Sequence, residues 1–198
     1  MNVDPYILIG GASRRFGPDK ATFKFEGEML ATRAARIAET ALVGSTATFV
    51  AADVEQFVSL DTRQTITDSL PGLGAVGAVS TALSHASAEW TFILACDLPF
   101  VTPEFIRFLA SFANDEWDAI VPVQKDGRWQ PLCGFYRPDN CRDTFQKAVE
   151  DRYNVPSLRS SIESLSTRIV TFPEYSTVED AEYLLQNVNE PSDLTRRP

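Results

Sequence analysis

The sequence is poor in the residues that build metal centres and disulfides. It has three cysteines, Cys96, Cys133 and Cys141, and one histidine, His85. No two of these cysteines form a Cys-x-x-Cys pair, which argues against both a structural zinc site and a disulfide framework. A lone histidine cannot build a histidine-based metal site or a catalytic triad by itself. We therefore expect His85 on the surface and the cysteines reduced and packed.

Long apolar runs and an excess of positive charge are absent as well. No run approaches the roughly 18 apolar residues that a membrane span needs. The start of the chain lacks a basic stretch followed by an apolar segment and a cleavage site, so we expect a cytoplasmic protein. The formal net charge of −9 disfavours nonspecific binding to nucleic acid or anionic membranes, because the field repels phosphates. An anionic substrate would need a local basic site.

What is present is an alternation of apolar strands and amphipathic helices. The 198 residues suit one α/β domain over 1–198. Strands are predicted at 6–9, 22–25, 46–51, 65–67, 90–95, 119–123 and 167–172, and helices at 29–42, 53–60, 75–86, 103–113, 139–150 and 156–165. This order predicts a Rossmann-like three-layer α/β/α fold with a mostly parallel sheet. The Asp126-Gly127 turn before 129–136 predicts a hairpin that adds an antiparallel strand.

The most informative stretch follows the first predicted strand. Residues 10–20 read GGASRRFGPDK. Glycines let backbone N–H groups approach a ligand, and Arg14, Arg15 and Lys20 place positive charge where a polyphosphate would lie. Gly17 is followed by proline and aspartate, so the P-loop pattern of kinases and GTPases fails. On composition alone, a solvated glycine-rich turn remains the alternative.

A second glycine-rich segment allows two interpretations. Gly72, Gly74 and Gly77 fit Gly-x-Gly-x-x-Gly, and Asp97 lies about where a dinucleotide-binding fold has its acidic ribose ligand. That pattern favours an NAD-dependent oxidoreductase. However, residues 68–71 separate the glycines from a short strand, whereas the dinucleotide fingerprint opens directly from a strand end.

Asp97 follows the apolar strand predicted at 90–95 and precedes Pro99. In open α/β sheets, ligands bind outside the carboxyl ends of the strands, where a carboxylate can hold Mg²⁺ against phosphate oxygens. The sequence therefore favours Asp97 as a metal ligand, and a cap of the turn before Pro99 is the alternative.

Ordered motifs along nearly the whole chain resemble those of the molybdenum cofactor guanylyltransferases, within the sugar-nucleotidyltransferase-like enzymes. The matching positions of the first loop are Leu8, Gly10, Gly11, Arg15, Gly17, Asp19 and Lys20, while Ile9 and Phe16 replace the usual Ala and Met. Later matches are Asp68 with Gly72, Gly74 and Gly77, then Cys96-Asp97-x-Pro99, and more loosely Gly127, Arg128, Gln130 and Pro131. Near the end of the chain, 187–194 resembles Asn-x-Asn-Thr-Pro-x-Asp/Glu-Leu, with Glu190 in place of Thr.

The resemblance implies a fold of the nucleotide-diphospho-sugar transferase type and a Mg²⁺-dependent transfer of GMP from GTP to molybdopterin, with release of pyrophosphate. It also implies molybdoenzymes or cofactor-handling proteins as further partners. Arg15, Lys20 and Asp97 would be catalytic, with Asp97 binding the metal. The implied nucleotide-binding residues are Leu8, Gly10, Gly11, Lys20, Asp68, Gly72 and Asp97. The implied acceptor-binding residues are Arg128, Gln130, Asn187 and Asn189.

Several activities stay open at this point. A related cytidylyltransferase or sugar-nucleotide pyrophosphorylase would use the same phosphate-binding residues with another base or acceptor. An NAD-dependent oxidoreductase depends on the second glycine segment and Asp97. A noncatalytic nucleotide-binding regulator would keep the loops without the chemistry. The base, the acceptor and the oligomeric state are not determined by these motifs.

Overall fold

The structure is a computed structural model that describes residues 1–9, 20–52 and 62–195. The glycine-rich loop after Ile9 and the helix predicted at 53–60 lie outside the described residues. The strands are β1 (Val3–Leu8), β2 (Lys24–Phe25), β3 (Glu28–Met29), β4 (Thr48–Ala51), β5 (Thr65–Thr67), β6 (Trp90–Ala95), β7 (Ala119–Pro122), β8 (Cys133–Tyr136) and β9 (Thr167–Val170). The α-helices are α1 (Leu30–Ala41), α2 (Gly74–His85), α3 (Pro103–Ala110), α4 (Pro138–Glu150), α5 (Leu158–Ile162) and α6 (Phe172–Tyr175), and a 3₁₀ helix spans Pro191–Thr195.

Within the described ranges, seven strands form one sheet in the order β5-β4-β1-β6-β8-β7-β9. β8 runs antiparallel to both of its neighbours, and the other pairings in this sheet are parallel. The predicted mostly parallel sheet with an antiparallel strand is therefore confirmed. β2 and β3 form a separate two-stranded hairpin, of which only the first strand was predicted.

The two faces of the sheet carry separate apolar layers. Along β1, Ile7 packs with α1 and α3, whereas Tyr6 and Leu8 pack with α2 and α4. This division follows from the alternation of side chains along a strand. Because helices cover both faces, the three-layer α/β/α architecture is confirmed.

The strand order reverses between β1 and β6, since the chain first adds strands on the β4 side and then crosses to the β6 side. β1 and β6 pair over six residues, from Val3 opposite Trp90 to Leu8 opposite Ala95. In open α/β sheets, a crevice for ligands forms outside the carboxyl ends of the strands at such a reversal. This reversal therefore predicts a ligand crevice next to the carboxyl ends of β1 and β6.

Some helix and strand ends differ from the predicted ones because side chains bind the backbone locally. α5 is shorter than predicted: Ser157 accepts from the backbone N–H of Ser160 at 3.1 Å, and Ser164 donates to the Ser161 carbonyl at 3.1 Å. Such contacts compete with helical hydrogen bonds. The last strand ends before Thr171 because Thr171 and Glu174 form a capping box that starts α6. α6 and the 3₁₀ helix were not predicted.

The scarce residues lie as the sequence predicts. All three cysteines are buried and free, and burial raises the pKa of the Cys141 thiol to about 12. His85 is exposed, and its Nδ1 is 2.7 Å from the Tyr6 hydroxyl. None of the described helices is long and apolar enough to cross a membrane.

Candidate functional site

The parallel strands β1, β4, β5 and β6 end at the same edge of the sheet, and backbone hydrogen bonds join the residues that follow them. The N–H of Ile9 donates to the Val50 carbonyl at 3.0 Å, and the N–H of Cys96 donates to the Leu8 carbonyl at 3.2 Å. Leu8 is only 5% exposed and packs in the core. The sequence assigned Leu8 to nucleotide binding, and the structure places its side chain in the core and its backbone at this edge of the sheet.

Lys20, Asp97 and Asn189 meet beyond the carboxyl end of β6. The Lys20 ammonium donates to Asp97 Oδ2 at 3.0 Å and to Asn189 Oδ1 at 3.4 Å. The side chains of Lys20 and Asp97 are 12% and 23% exposed, so the charges attract each other more strongly than they would in bulk water. The structure thus brings together three residues that the sequence assigned to the catalytic, metal-binding and acceptor-binding groups.

Arg33 of α1 links the two segments that carry Lys20 and Asp97. Its Nε donates to the Pro99 carbonyl at 3.0 Å, and its Nη1 donates to Glu26 at 2.9 Å in the hairpin after Lys20. Its guanidinium also lies 5.0 Å from the centre of the Phe25 ring, which is close enough for a cation–π contact. Sequence reasoning missed Arg33, because a side chain that binds a distant carbonyl leaves no local pattern.

One oxygen of Asp97 is suited to a metal ion. Asp97 Oδ1 is buried and has no hydrogen-bond partner in the part of the chain that the structure describes, and a buried carboxylate oxygen without a partner is costly. Mg²⁺ is commonly held by one or two carboxylates, with substrate phosphates and water completing its coordination. The described residues contain no group of three or more His, Cys, Asp or Glu that could bind a metal alone. Within the described ranges, a metal at Asp97 would therefore find fewer than three such protein ligands.

Asp68 organises the turn between β5 and α2. Its Oδ1 accepts from the backbone N–H of Leu70 and from the Thr81 hydroxyl, both at 2.9 Å. Gly72 has φ +87°, and a Cβ on Gly77 would lie 2.7 Å from the Leu70 carbonyl oxygen. The glycine spacing is thus explained by the turn itself.

Lys20, Asp97 and Asn189 form a cluster, the Lys20 cluster, which a C-terminal segment joins to a buried glutamine. Gln130 is 6% exposed, and its Nε2 donates to Asn187 Oδ1 at 2.8 Å and to the Leu185 carbonyl at 3.3 Å. Between the two asparagines, the backbone N–H of Val188 donates to the Asp97 carbonyl at 2.9 Å. Residues 185–189 therefore connect the end of β6 to the segment between β7 and β8.

The pattern of the MobA-like NTP transferase domain matches residues 6–168. The chain belongs to this family. It is accordingly a nucleotidyltransferase.

A relative from Geobacillus sp. (strain WCH70), named "Probable molybdenum cofactor guanylyltransferase", is 31% identical over 190 residues, which cover 95% of this chain and 94% of the relative. Among solved structures, molybdopterin-guanine dinucleotide biosynthesis protein A from Archaeoglobus fulgidus matches with a TM-score of 0.81 and 23% identity, over 98% of this chain and 95% of that one. The bifunctional IspDF from Campylobacter jejuni matches with a TM-score of 0.75 and 13% identity, over 98% of this chain and 54% of that one. At these identities, the two structures show the nucleotidyltransferase fold alone.

The dinucleotide interpretation does not suit this nucleotidyltransferase. Its Gly-x-Gly-x-x-Gly segment follows β5, which lies at one end of the strand order, whereas a dinucleotide fingerprint follows the strand next to the reversal point. In this chain, that strand is β1. The segment after β1 contains Gly10, Gly11 and Arg15, which lie outside the described residues, so their phosphate-binding role stays a prediction.

Arg128 of the nucleotidyltransferase lies apart from Gln130 and the two asparagines. Its side chain is 74% exposed and bonds within its own turn, with Nε donating to Asp126 at 2.7 Å and Nη2 donating to Gln124 at 3.3 Å. The backbone N–H and guanidinium of Arg128 hold the pKa of Asp126 below its usual range. Of the four predicted acceptor residues, the structure connects Asn187 and Gln130 directly and Asn189 through the same segment, but not Arg128.

Proposed function

We propose that this nucleotidyltransferase transfers GMP from GTP to the terminal phosphate of molybdopterin, with or without bound molybdenum, and that Mg²⁺ assists the transfer. The observation that carries the proposal is the cluster of Lys20, Asp97 and Asn189 at the reversal point, which residues 185–189 connect to buried Gln130. The printed name of the Geobacillus relative supports the choice of guanine nucleotide and molybdenum cofactor.

The proposed reaction joins two phosphates. A terminal phosphate oxygen of molybdopterin attacks the α-phosphorus of GTP, and a new phosphorus–oxygen bond forms. The bond between the α-phosphorus and the oxygen that bridges to the β-phosphate breaks, and pyrophosphate leaves with the electron pair. Because the attacking phosphate is already ionised, catalysis needs positioning and charge neutralisation rather than a general base.

The residues of the cluster suit these tasks. Lys20 would contact the phosphates of GTP, since an ammonium forms strong charge-assisted hydrogen bonds with phosphate oxygens. Arg15 and the backbone N–H groups at Gly10 and Gly11 are proposed to bind the same phosphates. Asp97 would hold Mg²⁺ through Oδ1, and the ion when bound would neutralise charge on the reacting phosphate.

The other proposed roles concern the two substrates separately. Asp68 and Gly72 would shape a turn that borders the nucleotide. The backbone at Leu8 would border the nucleotide as well. Gln130, Asn187 and Asn189 would face the acceptor, because amide groups can both donate and accept hydrogen bonds at the edge of a pterin or at a phosphate. Gln130 would serve the acceptor side mainly by holding Asn187 in place, because its side chain is buried and its amide nitrogen donates to Asn187 and to the Leu185 carbonyl.

The test is a screen of the four nucleoside triphosphates with purified protein, Mg²⁺ and molybdopterin, in which pyrophosphate release is measured. We expect release with GTP that depends on molybdopterin and on the metal. Turnover with CTP instead would identify a cytidylyltransferase, and turnover with a sugar phosphate in place of molybdopterin would identify a pyrophosphorylase. GTP binding without pyrophosphate would indicate a noncatalytic regulator. A metal-independent signal with NADH would revive the oxidoreductase alternative.

A further inference from the structure

Among the residues that the structure describes, Asp193 is the only charged one that is buried, with 8% exposure. Its Oδ2 accepts the backbone N–H of Asn189 at 2.8 Å and that of Glu190 at 3.1 Å. Its own N–H donates to the Glu190 carbonyl at 3.0 Å. These three bonds close a tight turn over residues 189–193.

This turn begins at the last of three consecutive residues that contact the candidate site. Asn187 bonds to Gln130, the Val188 N–H bonds to the Asp97 carbonyl, and the Asn189 side chain accepts from Lys20. The Asp193 carboxylate holds the backbone of the last of these residues. A displacement of this backbone would therefore move the Asn189 side chain relative to Lys20.

We propose that Asp193 is a positioning residue of the transfer reaction, which keeps Asn189 on Lys20 by fixing the turn at 189–190. This inference rests on the proposed function, because it assigns a task to Asn189 in the transfer of the nucleotide. Asp193 does not touch the reacting atoms and acts through Asn189. A group that holds a contact residue in place can change a rate about 100-fold when it is lost, since small displacements disturb the reacting geometry.

The same geometry explains why the turn tolerates Glu190, which stands where the family usually has threonine. The described contacts between Glu190 and Asp193 use the backbone N–H and carbonyl of Glu190. A change of side chain at this position leaves both backbone bonds available. The turn can therefore keep its shape despite the departure from the motif.

The test compares wild type, Asp193→Ala and Asp193→Asn as full-length proteins in the pyrophosphate assay, with GTP and molybdopterin. Alanine removes the acceptor of both N–H groups, so kcat/KM should fall about 10- to 100-fold. Asparagine keeps one oxygen that can accept both bonds, so most of the activity should return. Thermal unfolding of each variant is measured alongside.

Glu174→Ala is the matched control. The Glu174 carboxylate also caps a short helix in the C-terminal part, accepting from the Thr171 N–H and hydroxyl at 2.8 Å, but none of its described contacts reaches Lys20 or Asn189. Loss of a cap should lower stability in both cases. Only the Asp193 variant should lose kcat/KM beyond about twofold at a temperature where both proteins are folded.

A double-mutant cycle with Asn189→Ala distinguishes positioning from an independent effect. If Asp193 acts through Asn189, Asp193→Ala should change kcat/KM by no more than about twofold in the Asn189→Ala background, because coupled residues are not additive. Losses that multiply would overturn the inference, as would an Asp193→Ala variant with the kinetics of the Glu174 control.

A variant that fails to fold would also be informative. Asp193→Ser is the second variant, because its shorter side chain removes the bonds with a smaller change of polarity. Failure of both to fold would assign Asp193 to the fold and overturn the inference. A folded wild type without transferase activity would instead overturn the proposed function, and the positioning role with it, so the two failures are distinguishable.

Discussion

The ion pair between Lys20 and Asp97 and the ion pair between Arg128 and Asp126 both lie in loops at the carboxyl edge of the sheet. The second pair is the shorter, at 2.7 Å against 3.0 Å. Its partners are two residues apart in the chain and are 74% and 52% exposed, whereas Lys20 and Asp97 are 77 residues apart and are 12% and 23% exposed. Exposed ion pairs contribute little to the stability of a protein and are screened by salt. Burial and sequence separation therefore identify the candidate site, and distance does not.

The largest effect is expected for Asp97→Asn, which keeps the shape of the side chain and removes its charge. If Asp97 holds the metal, kcat should fall about 100-fold or more, because the charge of the metal acts on the transition state. GTP binding without Mg²⁺ should change little or tighten through lost repulsion. Titrations with GTP and with NADH, each with and without Mg²⁺, measure both effects.

Asp126→Asn is the matched control for this prediction, since it removes a carboxylate from the exposed pair. Its kcat should stay within about twofold of wild type. Equal losses in the two variants would contradict the distinction between the pairs. An NADH signal that is independent of Mg²⁺ and is lost in Asp97→Asn would contradict the nucleotidyltransferase mechanism for this residue.

Lys20→Ala should raise the KM for GTP and lower turnover. A hydrogen bond to a charged group contributes about 1.5 to 3 kcal/mol, which corresponds to roughly 10- to 100-fold in kcat/KM. The melting temperature should fall modestly, because Asp97, whose side chain is 23% exposed, loses the partner that compensates its charge. Lys125→Ala, which removes an exposed lysine paired with Glu182, is the control and should behave as wild type. A Lys20 variant that unfolds while its remaining folded fraction has normal kinetics would disprove the phosphate role.

Arg33→Met tests whether the two segments must be tied together. It removes the bonds to the Pro99 carbonyl and to Glu26 and keeps the apolar stem, so kcat/KM should fall about 10-fold with a modest loss of stability. Arg36→Met provides the comparison on the same helix, because Arg36 pairs only with Glu28 of the hairpin in its described side-chain contacts. Similar kinetics of the two variants would mean that Arg33 serves the hairpin alone.

The smallest effect is expected for Arg128→Ala. Its side chain bonds within its own turn, so kcat/KM for molybdopterin should change by less than about threefold. Gln130→Ala should have the larger effect because it leaves Asn187 without its buried partner. If Arg128→Ala is the more damaging of the two, the acceptor reaches the exposed turn, and the comparison between the two ion pairs no longer predicts function.

Much of the fold could be predicted because it depends on local patterns. The largely apolar run at 90–95 and the short β-branched run at 65–67 were both predicted as strands with their observed ends. The Asp-Gly turn predicted the antiparallel strand. β3 and α6, of two and four residues, were missed because their apolar periodicity is too short to detect.

The candidate site was harder to predict in detail. Residue types after strand ends pointed to Lys20 and Asp97, but their direct contact is a property of the folded chain. Arg33 and Asp193 were missed as site-supporting residues for a related reason. Each acts on backbone groups, which are present at nearly every position, so the sequence holds no signal for which carbonyl or N–H is bound.

The antiparallel β8 has a consequence for where the chain can change in length. Because β8 returns beside β6, the chain passes from β7 to β8 through a hairpin at the same edge as Asp97, without a crossover helix. Hairpin loops tolerate changes of length at small entropic cost. Insertions between Val123 and Trp129 should therefore leave the sheet and the Lys20 cluster intact, so this loop can change in length during evolution while the strand end that carries Asp97 is kept.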